Sequence, residues 1–156
     1  MGWQQRWRER PARVLARSDR LVLTRLRRSD ASAVEAAIDD DVRAAFDWVA
    51  GDDEREVLRV RKGQFNLFLG KPADFAVRDG RTNTFVGCYR AGWDGLDLTA
   101  SSLTLRGWVR RNDDADGIGG EALRLVVGYL SGERPRPLAD RRITVDVMVS
   151  VQHRNR

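Results

Sequence analysis

Asp114-Ala115-Asp116-Gly117-Ile118-Gly119-Gly120-Glu121-Ala122-Leu123 opens an amphipathic helix directly after a strand-like run that ends at Val109. Glycines spaced Gly-x-Gly at a helix start leave backbone N–H groups unpaired at the positive end of the helix dipole, a ready cradle for phosphate. A side chain at Gly117 or Gly119 would hold an anion away from those N–H groups. The same turn is crowded by Asp113, Asp114 and Asp116, where a phosphate would favour neutral or basic neighbours. A carboxylate of Asp114 or Asp116 can instead cap the helix and take the seat of the anion.

The 156 residues are enough for one domain with a real core, and 42% hydrophobic with 33% charged residues is a globular composition. No apolar run approaches the roughly 20 residues that span a bilayer. The N-terminus (Trp3, Arg6, Trp7, Arg8, Glu9, Arg10, Pro11) lacks the apolar centre of a secretory signal. A single cysteine, Cys88, points to a reduced, cytoplasmic setting. The net charge of +5 comes almost wholly from arginine and is concentrated in residues 1–28. We read residues 1–18 as a basic N-terminal extension and 19–156 as the folded domain. A nucleic-acid or ribosome-surface role for the 1–28 arm is a lesser alternative to a solvated extension, and it predicts affinity that falls steeply with salt.

Leu21–Leu26 reads as the first strand, and Ser29 or Asp30 caps a helix to about Ile38. Asp39-Asp40-Asp41 reads as the exposed end of that helix, followed by a short helical turn over Val42–Trp48. Asp52 and Asp53 cap a helix from Glu54 to Phe68 that Lys71-Pro72 ends. Asp74–Val77 and Thr84–Ala91 form a hairpin with a polar loop, and Ser101–Arg110 is the fourth strand. The helix Gly117–Leu130 then leads to a fifth strand, Arg142–Val149, with alternating apolar residues. A strand-helix-strand crossover makes the fourth and fifth strands parallel, so the fold class is mixed α/β.

Several of these blocks, in this order, resemble the GCN5-related N-acetyltransferases (GNAT), and within them the RimJ/RimL-like enzymes. Arg20–Arg27 with Ser29-Asp30-Ala31 is similar to the family's opening strand and helix cap. Phe75–Asp79 through Phe85-Val86-Gly87-Cys88 is similar to its central hairpin, and Trp108-Val109-Arg110 with Gly117–Leu123 to its acetyl-CoA segment. The resemblance covers about residues 20–150. It implies a mixed, mostly antiparallel sheet flanked by helices, with a splayed parallel strand pair. It further implies acetyl transfer from acetyl-CoA to a primary amine, either a protein N-terminus or a small molecule. Backbone groups near Trp108, Val109 and Arg110 would pair with the pantetheine arm, and the pyrophosphate would rest on Ala115, Gly117, Ile118, Gly119 and Gly120. The acceptor would enter near Trp48, Trp93 and Thr104.

This chain departs from the family pattern Arg/Gln-x-x-Gly-x-Gly/Ala, because Asp114 stands in the Arg/Gln place, Ala115 in a frequent glycine place and Asp116 where a basic residue is common. Each carboxylate ~6–8 Å from a phosphate repels it by roughly 2 kcal/mol at an effective dielectric of ~20, less with salt. Catalytic groups are unassigned. The family's fourth-strand glutamate falls on Thr104, which is no general base, and His153 falls where the family tends to place an asparagine. Cys88 reads as a small buried apolar residue and Asp146 as solvent-facing. Asn112-x-Asp114-x-Asp116-Gly117 matches half of a calcium loop, but its twelfth position is Leu123 rather than Glu, so no metal is expected. The family also continues into a helix and a hairpin beyond the end of this sequence, so either the reading frame is truncated or a partner chain, such as a second copy, is expected to cover the open edge of the fifth strand. A catalytically degenerate binding or assembly module is the alternative to the enzyme.

Overall fold

The structure, a computed structural model, describes residues 11–68, 71–93, 102–110, 117–133 and 142–149. Strands β1 (Val14–Arg17) and β2 (Leu21–Arg25) form an antiparallel hairpin. A helical turn over Arg28–Asp30 leads into α1 (Ala31–Ala37), α2 (Asp40–Ala45) and α3 (Asp52–Lys62). A minor hairpin follows, β3 (Leu67–Phe68) with β4 (Lys71–Pro72), and then β5 (Asp74–Asp79), β6 (Phe85–Trp93), β7 (Ser102–Val109), α4 (Ile118–Glu133) and β8 (Arg142–Val149). Six strands make the main sheet in the order β1-β2-β5-β6-β7-β8. Neighbours run antiparallel except β7 and β8, which are parallel as the crossover through α4 requires. Their register shifts between Leu105 and Arg106, where Asp146 is the extra residue of a bulge.

Strand periodicity sorts the core into two layers. Leu21, Leu23, Phe75, Val77, Tyr89, Leu105 and Val109 pack with Ala122, Leu125, Val126 and Leu130 of α4. On the opposite face Ala76, Phe85, Cys88 and Trp108 pack with Val34 of α1, Val42 of α2, and Val57 and Val60 of α3. Both faces of β5 are covered, which is why every residue from Asp74 to Arg78 is buried. The polar hairpin loop closes on Asp79, whose carboxylate accepts from the N–H groups of Arg81 and Thr82 at 2.9 and 2.8 Å. Those backbone donors hold the Asp79 carboxyl below its ordinary range.

Four readings of the sequence change. Val14–Arg17, within the segment read as extension, is a strand, because Val14-Leu15-Ala16 can cover the edge of the sheet while its arginine neighbours stay in water. Asp39-Asp40-Asp41 starts a helix rather than ending one: the Asp39 carboxylate accepts from Val42 N–H at 2.9 Å, and Asp40 and Asp41 fill the positive first turn of α2. Helix α3 stops at Gly63 (φ +68°), whose left-handed backbone returns its N–H to the carbonyls of Arg59 and Val60. The helix therefore does not run on to Phe68, which pairs as a strand with Lys71 instead.

Gly87 is required by close approach. A Cβ there would collide with the Trp108 carbonyl oxygen and stand 3.0 Å from Val109 Cα. Backbone of a paired strand cannot swing aside as a side chain can, so Gly87→Ala is expected to cost about 1–3 kcal/mol. A lower urea midpoint at unchanged slope is the expected reading, and an unchanged midpoint would show that β6 and β7 have slack.

Candidate active site

The C-terminal end of β7 and the N-terminus of α4 lie at the same end of the sheet. Arg110 N–H donates to the Val86 carbonyl at 2.8 Å, on the β6 side. Successive residues of a strand turn their backbone groups to opposite edges, so the N–H and C=O of Val109 face the β8 side. Among the described residues the β7–β8 pairing runs to Trp108↔Val149, directly beside Val109. Its side chain is buried against α4, leaving its backbone as the polar group at this point. Trp108 turns its ring to the other face, where it packs on Phe85 with centroids 5.9 Å apart.

Gly117 (φ +75°) turns the chain into α4, and among the described residues beyond its own helix and chain neighbours no heavy atom lies within 4 Å of where its Cβ would stand. The backbone conformation, not crowding, selects glycine there. Ile118, Gly119 and Gly120 form the first turn, with Gly117 and Gly120 exposed and Gly119 buried. Ala115 and the aspartates Asp113, Asp114 and Asp116 lie outside the described residues, as does His153.

Glu121 fixes this helix start to the β1–β2 turn. Its carboxylate accepts from the Ser18 hydroxyl at 2.8 Å, the Arg20 backbone N–H at 3.1 Å and Arg20 Nε at 2.7 Å. Burial pushes the carboxyl up, but these donors outweigh it and hold it below its ordinary value. The stabilisation is therefore present above the ordinary carboxylate range and is lost as pH falls through the depressed value. Glu121→Gln is expected to cost about 1–2 kcal/mol near neutrality, mostly through the Ser18 and backbone bonds, since half-exposed Arg20 contributes little. The gap between variant and wild type should close on acidification; a gap independent of pH would rule out the ionised form.

Across the sheet a cleft of about 120 Å³ is lined by Phe46, Trp48, Glu56, Cys88, Arg90, Arg106, Gly107 and Trp108. Phe46 and Trp48 stack with centroids 5.5 Å apart. Of the residues expected at the acceptor, Trp48 is in this lining. Thr104 is half-buried two residues before Arg106 on β7 and is not part of it. Trp93 ends β6, paired with Leu103.

The floor of the cleft is a charged network that the sequence reading missed. Glu56 accepts from Arg59 Nη2 at 2.9 Å and Arg90 Nη2 at 2.6 Å, while Asp74 accepts from Arg59 Nη2 at 2.9 Å, Arg90 Nε at 3.0 Å and the Asn66 N–H at 2.6 Å. Burial pushes the Glu56 carboxyl up, yet the two guanidiniums bring it below its usual value, and the same carboxylates raise Arg59 against its own desolvation. Only the Glu56–Arg59 spacing of i, i+3 was visible in sequence; Asp74 and Arg90 arrive from two strands. Glu56 is thus a poor base. Cys88 is no nucleophile, because burial and the nearby Glu56 charge push its thiol far up. Among the described residues no three His, Cys, Asp or Glu side chains gather as metal ligands, and no helix is long and apolar enough to cross a membrane.

No family model and no curated protein sequence matches the chain. Solved structures do. An acetyltransferase of the GNAT family from Bacillus anthracis is similar with a TM-score of 0.57 at 18% identity, covering 76% of this chain and 66% of its own. RimL, a ribosomal L7/L12 alpha-N-protein acetyltransferase in its apo form, is similar with a TM-score of 0.57 at 14% identity, covering 91% of this chain and 75% of its own. The chain thus spans just under two thirds of the first of these proteins. The two flanked core layers, the parallel β7–β8 pair and the helix start beside it place the chain in the GNAT acetyltransferase fold.

Proposed function

We propose that this chain is an N-acetyltransferase that moves the acetyl group of acetyl-CoA to a primary amine. One observation carries the reading: the end of β7 at Val109, the left-handed Gly117 that opens α4 and the cleft lined by Gly107 and Trp108 lie toward the end of one strand. Val109 would pair with the pantetheine arm, with Trp108 and Arg110 flanking it, and the N–H groups of Ile118, Gly119 and Gly120 would receive the pyrophosphate. The acetyl-CoA thioester supplies the activated acyl group. The cleft presents the amine across β7, and its aromatic wall excludes water from the reacting centre. The single buried cysteine fits the reduced, cytoplasmic setting read from the sequence.

Isothermal titration with acetyl-CoA, with desulfo-CoA as control, tests this directly. Binding is expected, and Gly117→Val should weaken it by about tenfold or more, since a β-branched residue resists positive φ and covers the amides. No binding at millimolar coenzyme would sink the enzyme. A second reading, a binding module without catalysis, is favoured by the β7–β8 pairing that runs to Trp108↔Val149 and by the absence of a general base among the described cleft residues. That module would keep its fold and any partner while failing the titration. Since β8 is the last strand of the sheet among the described residues, a second copy could extend it, and sedimentation would show a dimer.

A further inference from the structure

Resting on the acetyl-transfer reading, we propose that the cleft between α2, α3 and β7 selects an amine carried on a short, uncharged apolar chain, and that Phe46 and Trp48 set this preference. The charged groups of the described lining are Glu56, Arg90 and Arg106. Arg59 and Arg90 are matched one for one by Glu56 and Asp74. Glu56 Oε1 accepts from both guanidiniums and Oε2 from Arg59 Nε at 3.2 Å, while Asp74 Oδ1 also accepts from both. Arg106 is engaged as well. A charged tail on the acceptor would therefore shed water without gaining a counter-charge, a penalty that an alkyl tail does not meet.

The apolar wall is held by a strained backbone. Asp47 takes a left-handed φ of +52° between Phe46 and Trp48. A residue with a side chain is disfavoured there, and strain of this kind persists where a functional surface depends on it. The turn closes through Trp48 N–H on the Arg43 carbonyl at 2.9 Å, and the two half-buried rings stack with centroids 5.5 Å apart and planes 27° apart. Trp108 bounds the same space with a third ring. Size narrows the class further. An apolar cavity of about 150 Å³ holds a benzene ring, so the 120 Å³ of this cleft takes an apolar group of roughly four or five carbons.

Amines of matched length test the proposal: butylamine against 4-aminobutanoate and 1,4-diaminobutane, which carry an anionic and a cationic end. The readouts are kcat/KM for acetylation, and the rise in Tm caused by each compound without coenzyme at equal ionic strength. We expect butylamine to be preferred about tenfold or more and to raise Tm the most. From ethylamine to butylamine, kcat/KM should climb roughly threefold to fourfold per methylene, and the climb should stop once the cleft is full. Trp48→Ala should remove most of the preference through KM, and Trp48→Phe, which keeps a ring, should retain it, with the melting transition of each variant confirming its fold. Equal or better turnover of either charged amine, or a preference that survives Trp48→Ala, would overturn the proposal while leaving acetyl transfer intact. Failure to bind acetyl-CoA in the separate titration would instead remove the enzymatic reading, and the Tm comparison would still decide what the cleft prefers.

Discussion

Asp30→Ala is expected to remove about 3–5 kcal/mol of unfolding free energy, the largest loss of any single change outside the cleft. Arg78 reaches Asp30 through both terminal nitrogens at 2.8 Å each, and its Nε donates to Thr24 Oγ1 at 3.1 Å. Asp30 and Arg78 are only 4% and 7% exposed, so water cannot replace the lost partner. Removing the carboxylate strands a guanidinium under α1 and also releases the Arg27 N–H, which donates to Asp30 Oδ2 at 2.8 Å. The pair itself stabilises far less than its loss costs, because burying both charges was expensive to begin with. Replacing both together, Asp30→Leu with Arg78→Met, should therefore recover much of the deficit. Urea denaturation of the two single variants and the double closes the cycle. A single-variant loss below about 1 kcal/mol would mean that water or a relaxed loop already serves Arg78.

Asp30 also shows where sequence stops being legible. Its place before an alanine-rich run marked a helix start, and α1 does begin at Ala31. Its side chain, however, does not cap that helix; it is claimed by an arginine 48 positions away on β5, and no local pattern encodes such a pairing. Alternating apolar residues and turn chemistry located β2, β5, β6, β7 and β8, and the long helix α4 forced β7 and β8 to be parallel. Periodicity failed where two signals conflicted, at Gly63, where a left-handed stop outweighed the apolar spacing beyond it. The candidate site divides the same way. Gly117 and the strand before it were readable because backbone geometry demands glycine locally. Arg90, Asp74 and Glu56 were not, because a network drawn from two strands and a helix has no spacing to read.

Asp74→Ala should match the first variant in stability and exceed it in function. Asp74 is 2% exposed and accepts from two guanidiniums and the Asn66 N–H. Its removal leaves Arg59 and Arg90 sharing Glu56 alone, and we expect a loss of about 3–5 kcal/mol from the unpaired buried charge. Unlike Arg78, Arg90 lines the cleft, so the same change also loosens a side chain of the cleft wall. The Michaelis constant for the amine acceptor of the proposed transfer should rise with little change in coenzyme affinity, while Asp30→Ala at equal stability loss should leave both near wild type. Acidification adds a second signature. Glu56 is held low by its arginines, so its contribution is complete above the ordinary carboxylate range and fades as pH falls through the depressed value. With Asp74 gone, Glu56 is the last carboxylate between two guanidiniums, so its protonation leaves both uncompensated. Removing Asp74 depresses Glu56 further, so the loss of its contribution should run to lower pH in Asp74→Ala than in Asp30→Ala, although the two are equally destabilised near neutrality. Coincident acid transitions, or equal effects on the acceptor Michaelis constant, would show that Asp74 supports the sheet without positioning Arg90.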